Sequence, residues 1–195
     1  MAIREENRWD KSEISYRNYQ GYIDKKSNHF ELSFIDLLYI SNFKGGNATI
    51  NGKETVINVK LIHYSIGLKE IDKRFHERKL SDLTDGEIEN LIKMVDEIVR
   101  LTDKVSLQSK IDGFSASYLS ALLNSYFPDL IPILDRRLLR NLNLVEDSDR
   151  DSQEQIKNIK SFYGKLIKEI SKKVKESGES IREVDRRIFS ISLPK

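Results

Sequence analysis

The chain has no cysteine. Disulfides, thiolate zinc sites and cysteine-held iron–sulfur clusters are therefore excluded, and no thiol is available as a nucleophile. That absence suits a cytoplasmic protein. Proline is scarce, with 3 in 195 residues, and two of them, Pro128 and Pro132, share one short stretch. No apolar run approaches the ~20 residues of a membrane span. The opening residues, Met1 to Trp9, are charged and lack the apolar core of a signal peptide. Charge of one sign is lacking too, since the formal net charge is only +2. Composition alone thus carries no nucleic-acid footprint, and any basic surface has to come from local clustering.

Three familiar motifs also fail on inspection. Gly46, Gly52 and Lys53 suggest a phosphate-binding loop, but the spacing is one residue too long and Glu54 stands where a magnesium-holding hydroxyl belongs. His29, His63 and His76 lie far apart without metal-ligand spacing. No Gly-x-Ser-x-Gly elbow exists. No metal or cofactor is expected.

What is plentiful is helical periodicity, at a length suited to one well-cored domain. Residues 1–29 are polar with scattered aromatics, Trp9, Tyr16, Tyr19 and Tyr22, and read as an arm that packs in places and frays elsewhere. Residues 30–195 read as the helical domain. Phe34, Leu37, Leu38 and Ser41 follow helical spacing, and Lys44-Gly45-Gly46-Asn47 stops that helix. Asn51-Gly52 between Ala48-Thr49-Ile50 and Thr55-Val56-Ile57 predicts a small β-hairpin. A helix follows over Leu61–Phe75. Thr84 or Asp85 caps the clearest helix, with Glu87 completing a capping box from Thr84. Its apolar stripe is Ile88, Leu91, Ile92, Val95, Ile98 and Val99. A second long helix is expected from about Ser152 to Lys175, with a lysine face opposite Ile156, Tyr163, Leu166, Ile170 and Val174. Gly178 stops it, and Ser180 caps a last short helix.

The stretch from Ser109 to Leu142 carries the functional argument. It reads as a short helix, a glycine turn at Gly113, a helix opening with Ser115, Ala116 and Ser117, a proline-bounded loop, and Asp135 opening another helix. A glycine turn before a helix leaves backbone N–H groups at the positive end of the dipole, which favours a phosphate. Small residues there let a DNA backbone approach. Arg136, Arg137 and Arg140 follow, either as phosphate contacts or as a solvated face pairing with Asp147 or Asp149. Asp135 itself has two compatible readings, as the N-cap of the following helix and as a site carboxylate. Tyr118, Tyr126 and Phe127 are core candidates, any one of which would also suit a base pocket.

This segment resembles the helix-hairpin-helix DNA glycosylase superfamily, which includes endonuclease III and 8-oxoguanine glycosylase. The family's hairpin reads roughly Leu-Pro-Gly-Val-Gly, and here Ile111-Asp112-Gly113-Phe114-Ser115 stands in its place. Setting Gly113 on the first hairpin glycine puts Asp135, within Ile133-Leu134-Asp135-Arg136, on the family's catalytic aspartate without a gap. The resemblance implies an all-α, two-lobed fold, here with the one small β-hairpin. It implies double-stranded DNA as partner, with contacts from Gly113, Phe114, Ser115, Ala116, Ser117, Arg136 and Arg137. It departs from the family in three ways, one being that the cluster cysteines of some members are absent. Ser115 replaces the second hairpin glycine, and Ser117 occupies the position of the Schiff-base lysine, so a monofunctional N-glycosylase without lyase activity is implied. Asp135 would stabilise the sugar cation formed as a flipped base leaves. A non-catalytic DNA-binding module and a helical interaction protein remain the alternatives.

Overall fold

The structure, a computed structural model, describes residues 2–45, 49–153 and 155–191, and side chains from Trp9 onward. It is mainly helical. α1 (Ala2–Ile23), α2 (Phe34–Phe43), α3 (Glu54–Phe75), α4 (Asp85–Arg100), α5 (Ala116–Tyr126), α6 (Arg136–Asn141), α7 (Tyr163–Ser177) and α8 (Ile181–Phe189) follow one another, with single 3-10 turns at Leu80–Asp82, Asp147–Asp149 and Ile159–Phe162. No described helix is long and apolar enough to cross a membrane.

α5 lies at the centre. Every residue from Leu119 to Tyr126 is buried, as an all-round covered helix requires. α1 and α2 pack on one another and on α5. The N-terminal segment is packed over much of its length: Trp9, Tyr16, Tyr19 and Ile23 are all buried and lie on one face of a continuous helix. A buried carboxylate locks the three helices together. Asp36 on α2 accepts hydrogen bonds from Tyr19 of α1 at 2.9 Å and Tyr126 of α5 at 3.2 Å, and from the Lys26 ammonium at 3.0 Å. Burying a charge is tolerable only when it is this fully partnered.

The expected β-hairpin does not form among the described residues. Thr55, Val56 and Ile57 lie in the first turn of α3, while Gly46, Asn47 and Ala48 lie outside the described residues. The reason is the period that Ile57 begins. Ile57, Leu61, Tyr64, Leu68, Ile71 and Phe75 form one buried helical face, and this tertiary burial outweighs the local Asn-Gly turn signal. Asn51 instead donates to the Asp112 carbonyl at 3.3 Å, in an isolated antiparallel bridge.

α4 begins as its sequence requires. The Glu87 amide donates to Thr84 Oγ1 at 3.3 Å and the Thr84 amide to Glu87 Oε2 at 2.8 Å. The second long helix is shorter than its periodicity suggests, starting at Tyr163 instead of about Ser152. Asp151 explains the delay. Its carboxylate accepts the amides of Gln153 and Gln155, each at 2.9 Å, closing a local turn that competes with helix. Asn158 then adopts a left-handed conformation with φ 46°. Gly178, with φ 71°, ends α7, and Ser180 caps α8 through the Glu183 amide.

Candidate functional site

The glycine turn at Gly113 is held from two sides. Phe114 donates its amide to the Ile111 carbonyl at 3.1 Å, and Gly113 has φ 83°. A Cβ added at Gly113 would stand 2.1 Å from the Thr49 carbonyl oxygen, so only glycine fits this contact. The turn is thus buttressed by the segment before α3, and that side of Gly113 is closed to a ligand. Phe114 is fully buried, edge-on to the Tyr64 ring at 5.5 Å. Ala116 is buried as well. Any DNA contact at these two residues is therefore made by backbone, not by side chain. Ser115 is exposed and begins α5 without a side-chain cap, which leaves the first amides of the helix for an outside acceptor. The short helix expected before the turn is absent: residues 101–110 are turns, tied down by Tyr64, which donates to the Leu101 and Ser109 carbonyls at 3.0 and 3.2 Å.

After a turn at residues 127–130, in which Phe127 O accepts the Leu130 and Ile131 amides, the chain leads to Asp135 along a path fixed by hydrogen bonds from α5 and α7. Asn124 Nδ2 donates to the Ile131 carbonyl at 2.7 Å, Tyr163 to the Pro132 carbonyl at 2.8 Å, and Ser117 to the Leu134 carbonyl at 2.9 Å. The Leu134 amide returns a bond of 2.8 Å to Ser120. Ser117 therefore has a structural task, tying the start of α5 to the segment that ends in Asp135.

Asp135 caps α6, accepting the Arg137 amide on Oδ1 at 2.8 Å. Its Oδ2 accepts from the Lys44 ammonium at 3.3 Å, and the carboxylate side chain is 30 % exposed. Burial would raise this carboxyl, but Lys44 and the Arg137 amide outweigh it and hold the group below the ordinary carboxylate range. Asp135 is thus an anion at neutral pH.

The arginines divide. Arg136 is exposed. Arg137 lays its guanidinium 4.6 Å from the Phe189 ring centroid and donates to the Ile191 carbonyl at 3.2 Å. Together with Asn141, which donates to the Ile188 carbonyl at 2.7 Å, it fastens α6 to α8. Of the predicted contacts, then, Gly113, Ser115 and Arg136 are exposed and Ser117 and Arg137 are half-buried.

Two charged groups at this site carried no local signal in the sequence. Lys44 reads only as the last residue before a helix stop, yet it closes the Asp135 ion pair from α2. Asp185 on α8 is almost fully buried, and its Oδ1 has no hydrogen-bond partner among the described residues. Burial pushes its carboxyl up to about 7, with the Asp135 charge adding to the rise and Arg182 and Lys44 opposing it. Arg182 itself is committed elsewhere, bonded to Glu13 at 2.8 Å and 4.2 Å from the Trp9 ring centroid. The histidines stay apart: His29 packs edge-on to Tyr126, and His76 bonds Asp72 at 3.0 Å. No protein-family model, curated protein or solved structure matches the chain.

Proposed function

We propose that the protein binds double-stranded DNA through the Gly113–Ser117 turn and Arg136, and acts as a monofunctional N-glycosylase on a flipped damaged or modified base. The observation that carries this reading is the placement of Asp135. Ser117, Ser120 and Asn124 of α5 hold the Ile131–Leu134 segment, so the partly exposed Asp135 carboxylate directly follows a stretch tied to α5. A phosphate at the start of α5 would put the neighbouring nucleotide within reach of an anion. As the glycosidic bond breaks, the sugar gains positive charge and a fixed carboxylate lowers the energy of that state. Lys44 keeps Asp135 charged, and no lyase step is assigned. The two helical lobes around this site belong to the same proposal.

A second reading is favoured by one feature. Both Asp135 oxygens are already engaged, by Lys44 and by the Arg137 amide, as in a binding module whose carboxylate is purely structural. Base release separates the two. Duplexes carrying different damaged or modified bases are incubated with the protein and treated with alkali to reveal abasic sites. The enzyme reading expects release from at least one duplex, with Asp135→Asn slower by on the order of 10²-fold. Wild-type rates in that variant would remove Asp135 from catalysis. Salt-sensitive duplex binding without any release would assign the non-catalytic module.

A further inference from the structure

α8 buries Ile181, Val184, Asp185 and Ile188, a stripe at i, i+3, i+4 and i+7 in which three residues are aliphatic and one is a carboxylic acid. A buried carboxyl with an unpartnered oxygen weakens a fold, so packing alone does not account for Asp185. The stripe lies against the candidate site. Asn141 of α6 donates to the Ile188 carbonyl at 2.7 Å and Arg137 to the Ile191 carbonyl at 3.2 Å, and the cap of that same helix is Asp135.

Asp185 interacts electrostatically with Tyr16 of α1, Lys44 at the end of α2, Asp135, Tyr163 of α7 and Arg182 of its own helix. Most of these are committed. Arg182 holds Glu13 at 2.8 Å, Tyr163 donates to the Pro132 carbonyl at 2.8 Å and Tyr16 to the Asn124 carbonyl at 3.5 Å. Burial keeps both phenols protonated far above neutral pH. The other charges of α8 look elsewhere: Arg187 bonds Glu179 at 2.6 Å, Arg186 lies 4.0 Å from Asp10, and Glu183 accepts the Ser180 amide at 2.8 Å. Lys44 differs. It is the C-cap of α2, just before Gly45 with φ 88°, and its ammonium has one acceptor among the described residues, Asp135 Oδ2 at 3.3 Å. An ammonium carries three donors on a flexible four-carbon stem, so it can turn between two carboxylates while the backbone stays in place.

We propose that Lys44 is shared between two carboxylates, and that Asp185 is the positioning residue that decides which of them holds it. With Asp185 protonated, Lys44 stays on Asp135 and both Asp135 oxygens are engaged. With Asp185 ionised, Lys44 turns inward to it and frees Asp135 Oδ2, while the Arg137 amide still holds Oδ1. The step releases the Asp185 proton to solvent and involves no other covalent change. Burial sets the crossover at about 7. The exchange reconciles a site carboxylate with one whose oxygens are both occupied. Its consequence for catalysis rests on the glycosylase reading: a sugar cation meets an open Asp135 oxygen above the crossover and a blocked one below it.

Carbon NMR of the full chain, labelled at the aspartate carboxyls, tests the exchange without DNA. Asp185→Asn and Asp135→Asn, both isosteric, assign the two signals. The Asp185 signal is expected to titrate with a midpoint near 7, and the Asp135 signal, although already ionised, to shift with the same midpoint. In Asp185→Asn the Asp135 signal is flat through that range. In Lys44→Met the Asp185 midpoint rises, because its anion has lost a cation, and the Asp135 signal loses most of its shift. An Asp185 midpoint near 4, a flat Asp135 signal in wild type, or an undiminished Asp135 shift in Lys44→Met overturns the proposal. Base release reads the consequence. The ratio of wild-type to Asp185→Asn rates is expected to grow on the order of tenfold from about pH 5.5 to about pH 8. A merely structural defect slows the variant equally at both, and that constant ratio overturns the role of Asp185 at the site. No release from any duplex overturns the enzyme reading alone, and the NMR titration then decides the exchange.

Discussion

Asp185 is a buried carboxyl with Oδ1 lacking a hydrogen-bond partner among the described residues. It sits in α8 near the Asp135 anion, and burial pushes its carboxyl up to about 7. The native protein binds this proton more tightly than the unfolded chain does. Stability from this group is therefore full below the unfolded-state pKa of about 4 and declines until the pH passes about 7. Asp185→Asn removes that decline. Relative to wild type it gains on the order of 1–3 kcal/mol between pH 4 and pH 8, read from denaturant midpoints at the two pH values. Parallel pH dependence in both proteins would show that the carboxyl titrates normally. Asp135 runs the other way: its lowered carboxyl contributes stability above the unfolded value and loses it only as pH falls through the native one. The two aspartates thus give opposite pH responses, because Lys44 and a backbone amide bond to Asp135, while at Asp185 burial outweighs the pull of Arg182 and Lys44.

At the scale of elements, local chemistry and tertiary burial decide different helices. α4 and α8 are written in the sequence. Each has a hydroxyl cap, a glutamate three residues on and a single apolar stripe, so every local preference agrees with the fold. Thr84→Ala breaks the α4 box and is expected to cost about 1 kcal/mol, lowering Tm by about 3 °C in a chain of this size. Differential scanning calorimetry reads that shift directly, and an unchanged Tm would mean that packing of the stripe alone sets the helix start. α3 is the opposite case. Its two apolar faces, the outer one carrying Val56, Val59, Ile62 and Ile66, blur the helical period, and Asn51-Gly52 gives a strong but misleading hairpin signal. α1 was hidden for another reason, since its buried aromatics are separated by polar and charged residues that belong equally well to a solvated segment. Within the loop before α7, Asp151 stops a periodic pattern by capturing two amides, a choice that residue type permits but does not compel.

At the scale of the whole molecule, α1 is part of the core. Tyr19 donates into the Asp36 cluster, and Glu13 holds Arg182 of α8 at 2.8 Å, so the first helix joins both ends of the chain. A protein lacking residues 1–29 is expected to lose its cooperative thermal transition, because α2 and α5 would expose an apolar face and Asp36 would lose two of its hydrogen-bond donors. A sharp melt in that truncation, followed by circular dichroism, would show that the fold does not depend on α1. The candidate site depends on the same long-range order. Gly113 and Asp135 were visible in the sequence, since a turn glycine and a helix-capping aspartate are local requirements with local signatures. So were the helical class, the α4 and α8 caps and the stop at Gly178, each dictated by neighbouring residues. Only the tertiary structure decided that Thr49 closes one side of the glycine turn, that Phe114 belongs to the core, and that Lys44 and Asp185 surround Asp135. Those outcomes join residues many positions apart, and their energies come from burial and charge proximity, which no local pattern of residues encodes.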